Sequence, residues 1–211
     1  MDEITEEKIE EMIKTEGRVK GEVFKTDAEY VLEKKGEKGL KILQKETEKL
    51  GSPIDYRKIK SADWYPVGLR VVSLLAAMRA FGWQEKEIEK MGASAPKISF
   101  IVRIFMKFFL SPEKVAKISP KLWPRHYTIG SLKIVNFRER QEKQEIKGSV
   151  MVELRDFKVH PILCAYLGGY FLAVATLSAP YTKAIIKETK CPFRGDQYHQ
   201  YLCEWTRPKS S

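Results

Sequence analysis

The sequence has few cysteines and few histidines, three of each among 211 residues. Three cysteines are too few for a disulfide framework and odd in number, so we expect a protein of a reducing compartment, the cytoplasm. The acidic N-terminus lacks the apolar stretch of a secretion signal. Internal repeats and low-complexity linkers are also missing. A chain of this length is therefore expected to form one compact domain.

The sequence also lacks the common catalytic motifs. It has no GxGxxG after a strand, no GKS or GKT loop, no GxSxG and no HExxH. Its histidines, His126, His160 and His199, do not stand in the local context of a nucleophilic triad. We therefore predict a binding module and no enzyme, with a reductase as the least favoured alternative.

The net charge of +10 is unevenly distributed. Residues 1–16 hold seven acidic and two basic side chains, whereas the remainder holds 36 basic and 21 acidic ones. Such a body could attract an anionic membrane surface or nucleic acid. The basic residues are scattered and form no long run. This pattern favours a solvated surface, predicts no specific nucleic-acid partner and leaves a membrane-surface contact as an alternative.

One uncharged segment, residues 159–182, bears on the membrane question. Its eighteen most apolar residues, 162–179, would span about 27 Å as a helix, close to the thickness of a bilayer core. Gly168 and Gly169 and the polar residues near its end argue against insertion. We predict a buried central helix, with a membrane span and a peripheral attachment as alternatives.

The hydrophobic patterns predict an α+β fold, in which a helical N-terminal half precedes an antiparallel sheet packed on a central helix. The helical half is predicted over residues 26–122 and the half with sheet and central helix over 127–206. Strands are predicted at 18–24, 127–138, 149–157, 184–187 and 198–205.

Aromatic side chains are dense in the helical half. The segments 64–82 and 97–110 carry more apolar surface than one core-facing stripe requires. Surplus apolar surface lines a ligand cavity or forms a dimer interface, and we expect both here. The predicted pocket residues are Trp64, Tyr65, Phe100, Phe105, Phe109, Trp123, Tyr166 and Tyr170.

All three cysteines lie in the last fifty residues, together with two histidines. Thiolate and imidazole are the usual ligands of tetrahedral zinc. His199 and Cys203 share one face of a predicted strand, although about 13 Å apart. The spacing matches no standard zinc motif, and Cys164 could equally be a small buried apolar residue.

The C-terminal third resembles the 4-vinyl reductase domain, a small-molecule-binding fold of phenol-sensing activators that is related in shape to TRAPP tethering subunits. The resemblance rests on CAYLGGYFLAV from Cys164, KETKCPFRG around Cys191 and YLCEW ending at Trp205. GEVF near Gly21 and WYP at 64–66 are similar to bacterial sensors related to haem-nitric-oxide-binding proteins.

The resemblance implies one 4-vinyl reductase-like domain over residues 17–211, preceded by an acidic helical extension at 1–16. It also implies a structural zinc held by Cys164, Cys191 and Cys203, with His199 in place of the family's carboxylate. We expect a cytosolic, dimeric sensor of a small apolar or aromatic ligand. The alternative is a TRAPP-like adaptor that uses its apolar helices for protein or membrane-surface contact. We expect no haem. A haem sensor would need His126 or His160 as its axial ligand, and His126 lies between Pro124 and Tyr127 rather than on a helix.

Overall fold

The computed structural model describes residues 6–98, 111–177, 181 and 183–209. The helices described are α1 (Glu6–Lys14), α2 (Gly21–Lys49), α3 (Val67–Phe81), α4 (Glu85–Ile98), α5 (Pro112–Leu122) and α6 (Ile162–Leu177). The strands described are β1 (Arg18–Lys20), β2 (Trp64–Pro66), β3 (Ser131–Gln141), β4 (Glu145–Arg155), β5 (Lys183–Lys190) and β6 (His199–Pro208). Helices precede an antiparallel sheet, so the predicted α+β class is confirmed.

Two glycines shape the start and the course of α2. The strand predicted over 18–24 ends at Lys20, and α2 begins at Gly21, where a Cβ would lie 2.1 Å from the Lys60 carbonyl oxygen. Gly36, with φ 64°, makes a kink, after which α2 continues to Lys49. The predicted helix over 97–110 lies outside the described residues after Ile98.

The larger sheet has the strand order β3-β4-β6-β5, and all neighbouring strands are antiparallel. Alternate residues of β6 are buried, among them His199, Tyr201, Cys203 and Trp205. At their shared hairpin both strands extend beyond the predicted ranges 127–138 and 149–157, because β3 continues to Gln141 and β4 begins at Glu145. Ile146 pairs with Gln141 and is buried.

Helix α6 packs against the buried face of the sheet on one side and against α4 on the other. The α4–α6 contact is a backbone-to-backbone crossing at two glycines. A Cβ on Gly92 would lie 2.0 Å from the Tyr166 carbonyl oxygen, and one on Gly169 would lie 1.9 Å from that of Glu89. Among the described residues, no helix is both long enough and apolar enough to cross a membrane.

Candidate functional site

A cavity of about 120 Å³ lies between the helices and the buried face of the sheet. Helices α5 and α6 and strands β3, β4 and β6 supply most of its walls. Its apolar lining includes Val115, Leu132, Val150, Val152, Leu167 and Phe171. Dry apolar cavities of about 150 Å³ accept a single aromatic ring. The volume of the cavity is therefore close to that needed for a small aromatic molecule.

Three of the predicted pocket residues, Trp123, Tyr166 and Tyr170, line this cavity. The ring of Trp123 stacks on that of Tyr127 with centroids 4.5 Å apart. Its Nε1 donates to the Ile129 carbonyl oxygen at 2.9 Å, which fixes the ring in the wall.

Two of the other predicted pocket residues lie away from the cavity. Trp64 and Tyr65 belong to the short strand β2, away from the cavity lining. Lys20 Nζ stands 4.1 Å from the ring centroid of Trp64, and the Lys60 backbone N–H donates to the Tyr65 hydroxyl. Phe100, Phe105 and Phe109 fall outside the described residues.

A buried charged network forms one end of the cavity. Arg70, from α3, is 0% exposed, and its Nε donates to Asp27 Oδ2 at 3.2 Å. Its Nη1 donates to the Tyr127 hydroxyl, and the Tyr166 hydroxyl donates to Asp27 Oδ1 at 2.8 Å. Burial alone would lower the pKa of Arg70, but the Asp27 carboxylate and the neighbouring phenols raise it. The guanidinium therefore stays charged inside the protein.

The sequence alone did not identify this network. Asp27 lies inside α2, and no local pattern relates it to an arginine 43 residues away. Arg70 stands in a helix whose neighbours are apolar, and a lone arginine there is the signal that could have identified it, because arginine is rarely buried without a partner.

A second cluster lies at the first turn of α6. Four ligand atoms, one each from Cys164, Glu188, Cys191 and His199, lie within 4.8 Å of one another. Cys164 Sγ is 3.8 Å from Cys191 Sγ and 3.8 Å from His199 Nδ1. His199 Nδ1 is 2.9 Å from Glu188 Oε1. The elements α6, β5, β6 and the turn after β5 therefore converge on one point.

The environment of this cluster orients its imidazole. His199 Nε2 lies 2.8 Å from the Phe157 carbonyl oxygen. A proton on Nε2 satisfies that contact, whereas Nδ1 faces the Glu188 carboxylate, so that contact requires a proton on Nδ1 or a cation shared by both groups. Burial raises the pKa of the Cys164 thiol, and Glu188 and Cys191 raise it further. Without a cation, this thiol stays protonated at neutral pH.

Cys203 lies outside this cluster and in the wall of the cavity. It shares the buried face of β6 with His199, but four strand residues separate them, about 13 Å. Burial raises the pKa of Cys203 to about 12. Glu188, which the sequence did not single out, reaches His199 from the neighbouring strand.

The other two histidines lie in different surroundings. His126 lines the cavity, and its Nδ1 contacts the Leu122 carbonyl oxygen at 3.2 Å. His160 accepts a hydrogen bond from the Ile162 backbone N–H at 3.1 Å, at the start of α6.

Comparison by sequence finds no matching protein-family model and no matching curated protein. Comparison by structure finds H-NOX proteins. An H-NOX protein from S. oneidensis in the Fe(II)NO ligation state has a TM-score of 0.62 and 14% identity, covering 88% of this chain and 98% of that one. Unliganded Fe(II) H-NOX from K. algicida gives 0.55 and 11%, covering 91% and 99%. The chain thus has the fold of these proteins over most of their length.

The neighbours correct one expectation and support another. The expectation that haem plays no part is wrong, because the neighbouring proteins are described by their iron ligation state and, in one case, by haem distortion. The predicted relation to haem-nitric-oxide-binding sensors is supported at the level of the fold. The prediction of a binding module and no enzyme agrees with these neighbours.

Proposed function

We propose that this chain is a sensor-type module that binds a small apolar or aromatic molecule in the cavity between its helices and its sheet. The observation that carries the proposal is the cavity itself, which is apolar along most of its walls and aromatic at Trp123, Tyr166 and Tyr170. The fold of ligand-binding H-NOX proteins supports the same function.

A substitution that fills the cavity tests this proposal. Ala116 lies in the wall on α5, so Ala116→Leu places three more carbon atoms in the space. We expect it to weaken the binding of a single-ring probe such as isopropylbenzene, measured by ligand-observed NMR. Lys117→Leu is the matched control, because that side chain is 72% exposed on the same helix. Equal affinities in both variants and the parent would contradict the proposal.

Haem is the ligand to which the neighbouring structures point. The donor set fits it in one respect, since His126 is the histidine of the cavity wall and has a second ring nitrogen, Nε2, to offer to iron. Bound haem would supply an iron that takes a diatomic gas, such as the NO of the S. oneidensis protein. The cavity is smaller than the roughly 300–1,000 Å³ of pockets for larger ligands, so haem would require the helices to move away from the sheet.

Titration with hemin tests this ligand. If His126 holds haem, the wild type gives a shifted Soret band, and His126→Ala changes the band. His160→Ala is the control, because His160 lies at the start of α6 outside the cavity lining. A spectrum identical to that of free hemin would exclude haem and leave a small organic ligand in the cavity.

We also propose that Cys164, Glu188, Cys191 and His199 hold a structural zinc ion. Two thiolates on tetrahedral zinc, each about 2.3 Å from the metal, lie about 3.8 Å apart. That is the separation of the Cys164 and Cys191 sulfur atoms. The contact of His199 Nε2 with the Phe157 carbonyl is the kind of interaction that orients a metal-bound imidazole. This set differs from the one that the 4-vinyl reductase resemblance implies, because Glu188 takes part and Cys203 does not.

Metal analysis of untagged protein tests the zinc site. We expect one zinc per chain, lost in Cys164→Ser and Cys191→Ser and retained in Cys203→Ser, which is the matched control. Loss of zinc should also lower the free energy of unfolding by several kcal/mol, because the ligands are apart in the unfolded chain. Zinc near zero in the wild type, or loss in Cys203→Ser alone, would contradict this site.

The predicted homodimer, the adaptor alternative and the membrane-surface contact stay predictions. Ile42 and Ile185 are the large exposed apolar side chains among the described residues, 48% and 50% exposed. Light scattering measures the dimer. Flotation with anionic vesicles measures the membrane contact, which should be lost at high salt if it is electrostatic.

A further inference from the structure

The inference concerns the chemical class of the ligand and rests on the proposed cavity function. A guanidinium has five N–H donors. In Arg70, Nε donates a hydrogen bond to Asp27 and Nη1 donates one to Tyr127. The third nitrogen, Nη2, is buried and has no hydrogen-bond partner in the part of the chain that the structure describes. Buried donors without a partner are rare in native proteins, so we expect a bound molecule to accept a hydrogen bond from Nη2.

Arg70, which carries this unpartnered donor, contributes to the cavity lining, as do its neighbours Tyr127 and Tyr166. Nη2 itself is covered by surrounding atoms, so a ligand must displace them slightly to reach it. The guanidinium carbon lies 4.0 Å from the ring centroid of Tyr166, a cation–π distance. This contact and the bonds to Asp27 and Tyr127 hold the guanidinium group in place before any ligand binds.

The charges around Arg70 determine whether a neutral or an anionic ligand group is the better acceptor for Nη2. Asp27 already balances Arg70, and both are buried. Asp27 contacts Arg70 from behind the lining, and Glu22 is the acidic side chain among the described residues that line the cavity. A carboxylate ligand would add an anion beside Asp27, and burying an unbalanced charge is costly. A neutral acceptor would satisfy Nη2 without changing the charge.

We infer that the ligand is a neutral molecule about the size of one aromatic ring, carrying a carbonyl-type oxygen that accepts a hydrogen bond from Arg70 Nη2. The ring occupies the apolar part of the cavity, and the oxygen faces the buried network. The competing explanation is an ordered water molecule that satisfies Nη2 permanently.

Four probes of similar shape separate these explanations: acetophenone, benzamide, isopropylbenzene and benzoate. Binding is measured by calorimetry or ligand-observed NMR in the wild type and in Arg70→Lys, which keeps the charge beside Asp27 and removes Nη2. We expect acetophenone and benzamide to lose about tenfold in affinity in this variant, the loss of one charge-assisted hydrogen bond. The affinity of isopropylbenzene should stay within about twofold. Arg79→Lys, on the same helix and 52% exposed, is the matched control and should change neither.

A second measurement serves if Arg70→Lys does not fold. In wild-type protein with isotope-labelled arginine, acetophenone should shift the Arg70 side-chain resonances more than isopropylbenzene does. Equal shifts, or equal losses of both probes in the variant, would overturn the inference and leave the cavity function standing. Tighter binding of benzoate than of acetophenone would overturn it in favour of an anionic ligand. Binding of none of the four to the wild type would overturn the cavity function as well.

Discussion

Helix α6 contributes to two sites that differ in the origin of their positive charge. Its fifth residue, Tyr166, joins a network whose cation, Arg70, is supplied by the chain and fully buried. At its first turn, Cys164 faces Glu188, Cys191 and His199. There the nearby cation Arg194 is half-exposed and reaches one Glu188 oxygen at 3.4 Å. The first site thus contains its own ion pair, whereas the second would be stabilised by the zinc ion proposed above.

The largest expected effect comes from breaking the internal ion pair. Arg70→Met leaves Asp27, 3% exposed, without its cation. Removing one partner of a buried pair costs about 3–5 kcal/mol, and we expect this loss in the free energy of unfolding, measured by urea denaturation. Because the network contains no metal ligand, the loss should be the same with and without a chelator.

Two controls accompany this variant. Arg79→Met removes a largely exposed partner of Glu46 and should cost less than about 1 kcal/mol. The double variant Asp27→Asn/Arg70→Met removes both charges and should recover part of the loss. A loss below about 1 kcal/mol in Arg70→Met would show that the network does not stabilise the fold.

The sequence predicted the central helix and the sheet because their signals are local. The uncharged run from Ile162 and the alternation along β6 define their elements without any distant contact. The bounds of β4 were less predictable, since Ile146 becomes a strand residue through pairing with Gln141.

The composition of the sites was less predictable, because both assemble residues distant in sequence. Tyr166 meets Asp27 across 139 residues. Glu188 joins the cysteines through the pairing of β5 with β6, and nothing local distinguishes it from other surface glutamates. Periodicity placed His199 and Cys203 on one face, and that was right, but strand geometry separates them along that face.

An intermediate effect is expected where α6 crosses α4, because this crossing positions both sites. Gly169→Ala would place its Cβ 1.9 Å from the Glu89 carbonyl oxygen, so the helices must separate. Overpacking of this kind costs about 1–3 kcal/mol. The adjacent Gly168 is the matched control, because its Cβ would meet only Tyr201 Cε1 at 3.9 Å. Gly168→Ala should stabilise the helix by about 0.5–1 kcal/mol, and thermal unfolding measures both. Equal effects would contradict the close crossing.

The smallest expected effect is a pH dependence of stability that involves one histidine in the cavity wall and one at the start of α6. Burial lowers the pKa of His126 in the cavity wall and of His160 at the start of the helix below 6.5. The unfolded chain therefore binds protons at a pH where the folded protein does not. Stability should fall as the pH drops below about 6.5, by about 1.4 kcal/mol for each unit by which a pKa is lowered. His126→Asn and His160→Asn should each remove part of this slope.

A ligand in the cavity distinguishes the two histidines. Acetophenone would exclude water near His126 and lower its pKa further, because desolvation disfavours the imidazolium form. His160 lies outside the cavity lining, so its pKa should not change. NMR titration of the two imidazoles, with and without the probe, measures both shifts. An equal response of His126 and His160 would mean that binding is transmitted along α6, and that the two sites are one coupled unit rather than two separate ones.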